Sequence, residues 1–163
     1  RRREAAAAEA ERRAKEAKEA EARAVAARKR EEAARAEAEK KAAWFYRTLA
    51  GMTADGVARR TLEDLADDET SHAAVLTDLY LEVTGCREIE PVSSAPEGEP
   101  NFYDFPSTSR RAALEFALRN EMRAARLYES QAGVSEDPQR ESIFRRLAAT
   151  ELEHAAYLRT QLG

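Results

Sequence analysis

The two histidines of this 163-residue chain, His72 and His154, stand in matching frames: LADDETSHAAVL at 65–76 and LAATELEHAAYL at 147–158. Three residues before each histidine is a glutamate, Glu69 and Glu151. On a helix that spacing puts carboxylate and imidazole on one face, about 60° apart. Thirty residues before each of these glutamates stands another, Glu39 in EKKAAWFY and Glu121 in EMRAARLY, each followed by Ala at +3 and +4 and Tyr at +7.

All four glutamates fall on the apolar stripe of their helix rather than on its charged face. Four carboxylates gathered in a core repel one another and lose hydration, at a cost of several kcal/mol per ion unless it is offset. Two divalent cations balance four carboxylates, and neutral imidazoles complete the coordination without adding charge. Glu39, Glu69, His72, Glu121, Glu151 and His154 are therefore candidate metal ligands. The alternative is a polar core satisfied by hydrogen bonds alone. Carboxylate and imidazole without thiolate suit iron or manganese, with zinc as a substitute. Tyr46 and Tyr128 lie two turns along the same faces as Glu39 and Glu121 and are expected to donate hydrogen bonds to the ligand carboxylates. A redox role for them is the competing view. Trp44 and Phe45 read as packing or subunit-contact residues.

The elements that must carry these residues follow from apolar periodicity. A first helix continues through Ala42, Ala43, Tyr46 and Leu49 and is expected to end at Gly51. A second, started by Thr53 or Asp55, aligns Leu62, Leu65, Ala66, Leu76, Leu79 and Val83 and stops at Gly85. Residues 85–107 hold four of the five prolines and no period, which predicts a long connection. A third helix, capped by Ser107, Thr108 or Ser109, carries Leu114, Leu118, Leu127 and Tyr128 to Gly133. The fourth starts at Ser135 or Asp137 with Pro138 in its first turn and carries Phe144, Leu147, Ala148 and Leu158. The offset of 82 that relates the two histidine frames also aligns Gly51 with Gly133 and Asp55 with Asp137. The expected fold class is all-α: a four-helix bundle built from a helix hairpin repeated twice, with one long crossover.

Residues 1–35 are an Ala/Glu/Arg/Lys-rich helical extension in which Val25 is the sole larger apolar residue, and 36–163 form the bundle. The extension reads as a solvated helix stabilised by charge pairs, with docking to a partner or to another copy as the alternative. Two of its last positions, Glu32 and Arg35, stand where the second repeat has Leu114 and Ala117, which leaves a cavity, a dimer contact or a thinner core. Residues 1–40 carry 13 basic and 10 acidic side chains, and residues 41–163 carry 14 basic and 21 acidic. An acidic main body argues against nucleic-acid binding. Cys86 is solitary, which excludes a disulfide framework within one chain and points to a reducing, cytoplasmic setting. No apolar run approaches the roughly 20 residues of a membrane span.

Over about residues 36–160, the Glu39 frame ExxAxxFY, LADDETSH, the long connection, ALEFALRNEMRAARLY and LAATELEH resemble the rubrerythrin branch of the ferritin-like superfamily. The resemblance implies a non-haem di-iron site with the six named residues as ligands, reacting with O2 or H2O2 and Fe(II), and a homodimer. Two departures stand out. Rubrerythrins carry a rubredoxin-like module with paired Cys-x-x-Cys, whereas this chain has one cysteine, so peroxidase turnover calls for an external electron donor. They also carry an extra Glu one turn from the third-helix ligand, where this chain has Leu118 and Ala124. The six-ligand set is nearer to bacterioferritin-type ferroxidase centres. Ferroxidase or peroxidase chemistry is the leading expectation. Iron storage or delivery, and hydroxylation of an organic substrate, are the alternatives.

Overall fold

In a computed structural model, residues 2–89 and 109–163 are described, with side chains from residue 9 onward. Four helices account for them: α1 (Arg2–Gly51), α2 (Gly56–Thr84), α3 (Arg110–Val134) and α4 (Pro138–Leu162). α1 packs along α2, and α3 along α4, as the two hairpins of the repeat require. Most of the expected long connection lies outside the described residues, as do Ser107 and Thr108.

Local chemistry sets the helix ends. Asp55 caps α2 by accepting hydrogen bonds from the backbone N–H groups of Val57 and Ala58. Ser109 caps α3 through Ala112, and Asp137 caps α4 through Gln139 ahead of Pro138. Gly85 closes α2 in the left-handed region at φ 64°, where a side chain would be strained. Gly51 and Gly133 play no such part: neither has a positive φ, and α3 runs one residue past Gly133 to be closed by Ser135. Both stops are read off composition correctly to within a residue, but their mechanism is not the glycine one.

α1 is continuous across the expected boundary near residue 35. Residues 9–28 are exposed throughout and Val25 is 52% exposed, whereas burial begins at Glu32 and Ala33. The expected apolar faces are otherwise inside, except that Val83 is 43% exposed at the end of α2 and Leu118 and Leu127 are only partly buried. Phe45 is fully buried against Tyr46 and Phe116, while Trp44 is on the surface.

The core forms two apolar layers. One contains Tyr46, Ala50, Leu62, Leu65 and Ala66 of the first hairpin, with Leu158 of the second. The other contains Tyr128, Ala132, Phe144, Leu147 and Ala148 of the second hairpin, with Leu76 of the first. Adding 82 to each of these five first-hairpin residues gives its counterpart in the second layer, though Phe45 and Leu49 of the first layer have none there; the repeat thus exchanges most of the two layers about a pseudo-two-fold axis. Along each helix the conspicuous glutamate lies between residues of the two layers, as Glu39 does between Ala36 and Ala42. The polar residues thus occupy the middle of the bundle, on that axis.

Candidate metal centre

Each helix delivers part of the site: α1 Glu39, α2 Glu69 and His72, α3 Glu121, α4 Glu151 and His154. All six are buried, Glu151 completely. They form two overlapping groups whose candidate ligand atoms lie within 4.8 Å of one another. Glu39, Glu69, His72 and Glu151 make one; Glu69, Glu121, Glu151 and His154 make the other. Glu69 and Glu151 belong to both. The rings of His72 and His154 stack with centroids 5.9 Å apart.

Contacts inside the cluster are close but poorly suited to hydrogen bonding. His72 Nδ1 lies 2.9 Å from Glu151 Oε1 and 3.3 Å from Glu69 Oε2. His154 Nδ1 lies 3.0 Å from Glu69 Oε1 and 3.3 Å from Glu151 Oε2. Despite these distances, both Nδ1 atoms and all four carboxylate oxygens of Glu69 and Glu151 are buried without a hydrogen-bond partner. Burying a polar atom unpaired is costly, and a cluster of such atoms is rare in a settled core. Their types, carboxylate oxygen and imidazole nitrogen, are the donors that a hard or borderline divalent cation takes. The residues therefore fit a metal pair.

Groups around the six fix their orientation. Tyr46 donates a hydrogen bond to Glu121 Oε1, and Tyr128 donates to Glu39 Oε1. Each tyrosine thereby reaches across to the glutamate of the other repeat, and each leaves that glutamate a second oxygen. Burial, then the charge of neighbouring carboxylates, pushes both phenols up, so they stay neutral donors. His154 Nε2 lies 3.3 Å from Asp68 Oδ2, which directs its Nδ1 toward the cluster.

The electrostatics of the metal-free cluster divide the carboxylates. Burial and then the charge of Glu69 hold Glu39 and Glu121 well above the usual carboxylate range. Burial also works to raise Glu69 and Glu151, but the imidazoles against them prevail, and Glu151 falls to about 2. Burial works to lower His72, yet the carboxylate of Glu151 prevails and lifts it to about 9. His154 is raised likewise, by Glu121 and Glu151 against its burial. Two ionised carboxylates facing two imidazolium rings are neutral. Four ionised carboxylates around two divalent cations would be neutral too, so such cations would replace the protons at constant charge.

Sequence reasoning missed Asp68, although the repeat breaks there: Asp68 precedes Glu69 where Thr150 precedes Glu151. It also missed Asn120, which lines a cavity of about 60 Å³ between α1 and α3 together with Arg35, Glu39, Glu69, Glu121 and Tyr128. Of the three outcomes foreseen for Glu32 and Arg35, a cavity is found beside Arg35. Both residues are buried, Glu32 in an ion pair with Arg140 at 2.8 Å and Arg35 in one with Glu31.

A family model described as "Ferritin-like domain" matches residues 12–163. No curated protein matches the chain significantly. A solved structure titled "Hypothetical Protein Pfu-1136390-001 From Pyrococcus furiosus" superposes with a TM-score of 0.69 at 23% identity, covering 82% of this chain and 87% of that one. At that identity the likeness speaks for the fold.

Proposed function

The chain belongs to the ferritin-like domain family, and from that premise we propose a non-haem di-iron protein that oxidises Fe(II) with O2 or H2O2. The single observation carrying this reading is the pair of four-residue groups that share Glu69 and Glu151. Sharing two carboxylates is how one bundle core holds two cations close together without a fifth or sixth acid. In this assignment Glu39 and His72 complete one position, and Glu121 and His154 the other. Bound iron would supply the oxidant with two electrons, one from each ion, in passing from ferrous to ferric.

The chain's own residues do the rest. Glu69 and Glu151 hold the two positions together, and their full ionisation favours the higher oxidation state. Asp68 accepts from His154 Nε2 and keeps that ring's Nδ1 free to ligate. Tyr46 and Tyr128 pin one oxygen each of Glu121 and Glu39. The apolar layers on either side keep bulk water out and protect the site from side reactions.

A cavity of about 60 Å³ beside the cluster favours a small oxidant over an organic substrate, since drug-sized ligands need pockets of roughly 300 Å³ or more. The same reading includes manganese as a possible occupant, zinc as an inert substitute, a homodimer, a cytoplasmic setting and an external donor where peroxide turns over. The helical extension, residues 1–35, serves in it as a solvated appendage that a partner could use. Among the described residues no helix is long and apolar enough to cross a membrane.

The test is to add two equivalents of Fe(II) per chain without oxygen, then O2 or H2O2. Oxo-ferric absorbance should appear with stoichiometric loss of oxidant. No iron uptake, or uptake without any change on adding oxidant, would overturn the reading.

A further inference from the structure

The cavity between α1 and α3 has a wall that the metal reading does not use. Arg35 is 7% exposed and lines it, held from the solvent side by an ion pair from its Nη2 to Glu31. Its Nε is buried and has no hydrogen-bond partner. Asn120, on the facing helix, lines the same cavity, and its Nδ2 is likewise buried and unpartnered. Tyr128, a third lining residue, already spends its hydroxyl on Glu39. Glu39, Glu69 and Glu121 line the cavity as well.

Two unpaired N–H donors facing a cluster of candidate ligands ask for a ligand that accepts on both sides. An oxyanion does so, and a neutral donor does not. Size narrows the choice further. A space of about 60 Å³ suits a ligand of only a few heavy atoms. The donors also have no counterpart in the repeat, because Arg35 matches Ala117 and Asn120 matches Ala38. The metal ligands need no such asymmetry, so it serves something else.

We propose that the cavity between α1 and α3 is a binding site for one small monoanion, of the size of formate, nitrite or azide, held by Arg35 and Asn120 against the Glu39–Glu121 edge of the metal pair. The proposal rests on the di-metal reading, since cations held by Glu39, Glu69 and Glu121 would supply the second attraction that the anion needs. Metal and anion therefore favour one another, and each tightens the other's binding by the same factor.

The test uses the intact chain loaded with Co(II), with metal counted in every sample, titrated with formate and with its neutral analogue formamide and followed by the cobalt visible bands and by calorimetry. One formate per metal pair is expected, with formamide far weaker and metal-free protein binding neither. Arg35→Met should weaken formate by about tenfold or more, and Asn120→Ala by several-fold, at unchanged metal content. Arg35→Lys should restore only part of the affinity, because an ammonium lacks the guanidinium fork. Should Arg35→Met fail to fold, Asn120→Ala decides alone. A chain that takes up no metal overturns the di-metal reading and this proposal with it. Two metals bound, with formate held equally by wild type and variants or no better than formamide, overturn this proposal only.

Discussion

Tyr46 on α1 donates its hydroxyl to Glu121 on α3, across the two halves of the repeat, and the 82-residue offset turns this contact into its counterpart between Tyr128 and Glu39. Each hairpin thus orients a glutamate that the other contributes. The site is a joint product of both halves, and disturbing one half's tyrosine should be felt at the other half's ligand.

Tyr46→Phe removes that donor and leaves a buried carboxylate oxygen unpaired. Metal affinity should fall about 10- to 100-fold at the position Glu121 completes, with the other position much less affected. Competition with a chelator of known affinity measures this. Equal weakening at both positions would contradict the assignment of Tyr46 to Glu121.

Shared and unshared carboxylates should differ on removal. Glu39→Ala takes a ligand from one group alone, whereas Glu151→Ala takes one from both. The first variant should retain one of the two metals after desalting, and the second should retain neither securely. Metal analysis by mass spectrometry decides, and one metal retained in Glu151→Ala but none in Glu39→Ala would reverse the roles.

Much of this centre is legible before any coordinates, and for a physical reason. Glu39, Glu69, Glu121 and Glu151 break helix amphipathicity at positions where a carboxylate has no business unless compensated, and the repeat states the pattern twice. The caps are less plain, with Thr53 or Asp55 and Ser135 or Asp137 open in the sequence, and the structure selects the aspartates. What was not legible breaks the repeat or depends on distance between elements: Asp68 reaches His154 on another helix, and Asn120 meets Arg35 across a cavity. Val83 keeps the apolar period yet is 43% exposed, so its type predicts burial that the packing does not provide.

The metal-free protein should lose stability on the alkaline side. His72 has a folded pKa of about 9 against an ordinary 6.5, so its stabilising contribution is complete below pH 6.5 and disappears as pH rises through 9. Glu39 and Glu121, held above 4.5, act in the same direction as the unfolded chain ionises first. Glu151, lowered to about 2 from 4.5, stabilises above pH 4.5 and ceases to as pH falls through 2. Melting temperature without metal should therefore peak near pH 4.5 and decline toward alkaline pH. With metal bound the alkaline decline should be much reduced, and a metal-free protein equally stable at pH 6 and pH 9 would refute this.

Metal loading should release protons. Near pH 7 His72 and His154 hold protons, and Glu39 and Glu121 are held above their usual range, so cations entering the cluster displace them. Titration in dilute buffer with a pH indicator should register more than one proton per metal, and apparent affinity should rise between pH 6 and 8. Binding without proton release would place the metal elsewhere.

The buried pair between Glu32 and Arg140 offers a control away from the centre. Arg140→Ala strands Glu32, whose Oε2 already lacks a partner, and should cost about 3 kcal/mol of stability. Metal stoichiometry should be unchanged. Denaturant unfolding together with metal counting checks both halves of the statement.

The most direct test of the central claim is an anomalous-difference map from crystals of the intact chain grown with Mn(II) or with Fe(II) under anaerobic conditions. Two peaks are predicted between Glu69 and Glu151, one flanked by Glu39 and His72 and the other by Glu121 and His154. A single peak, peaks outside this cluster, or none at saturating metal would contradict the account.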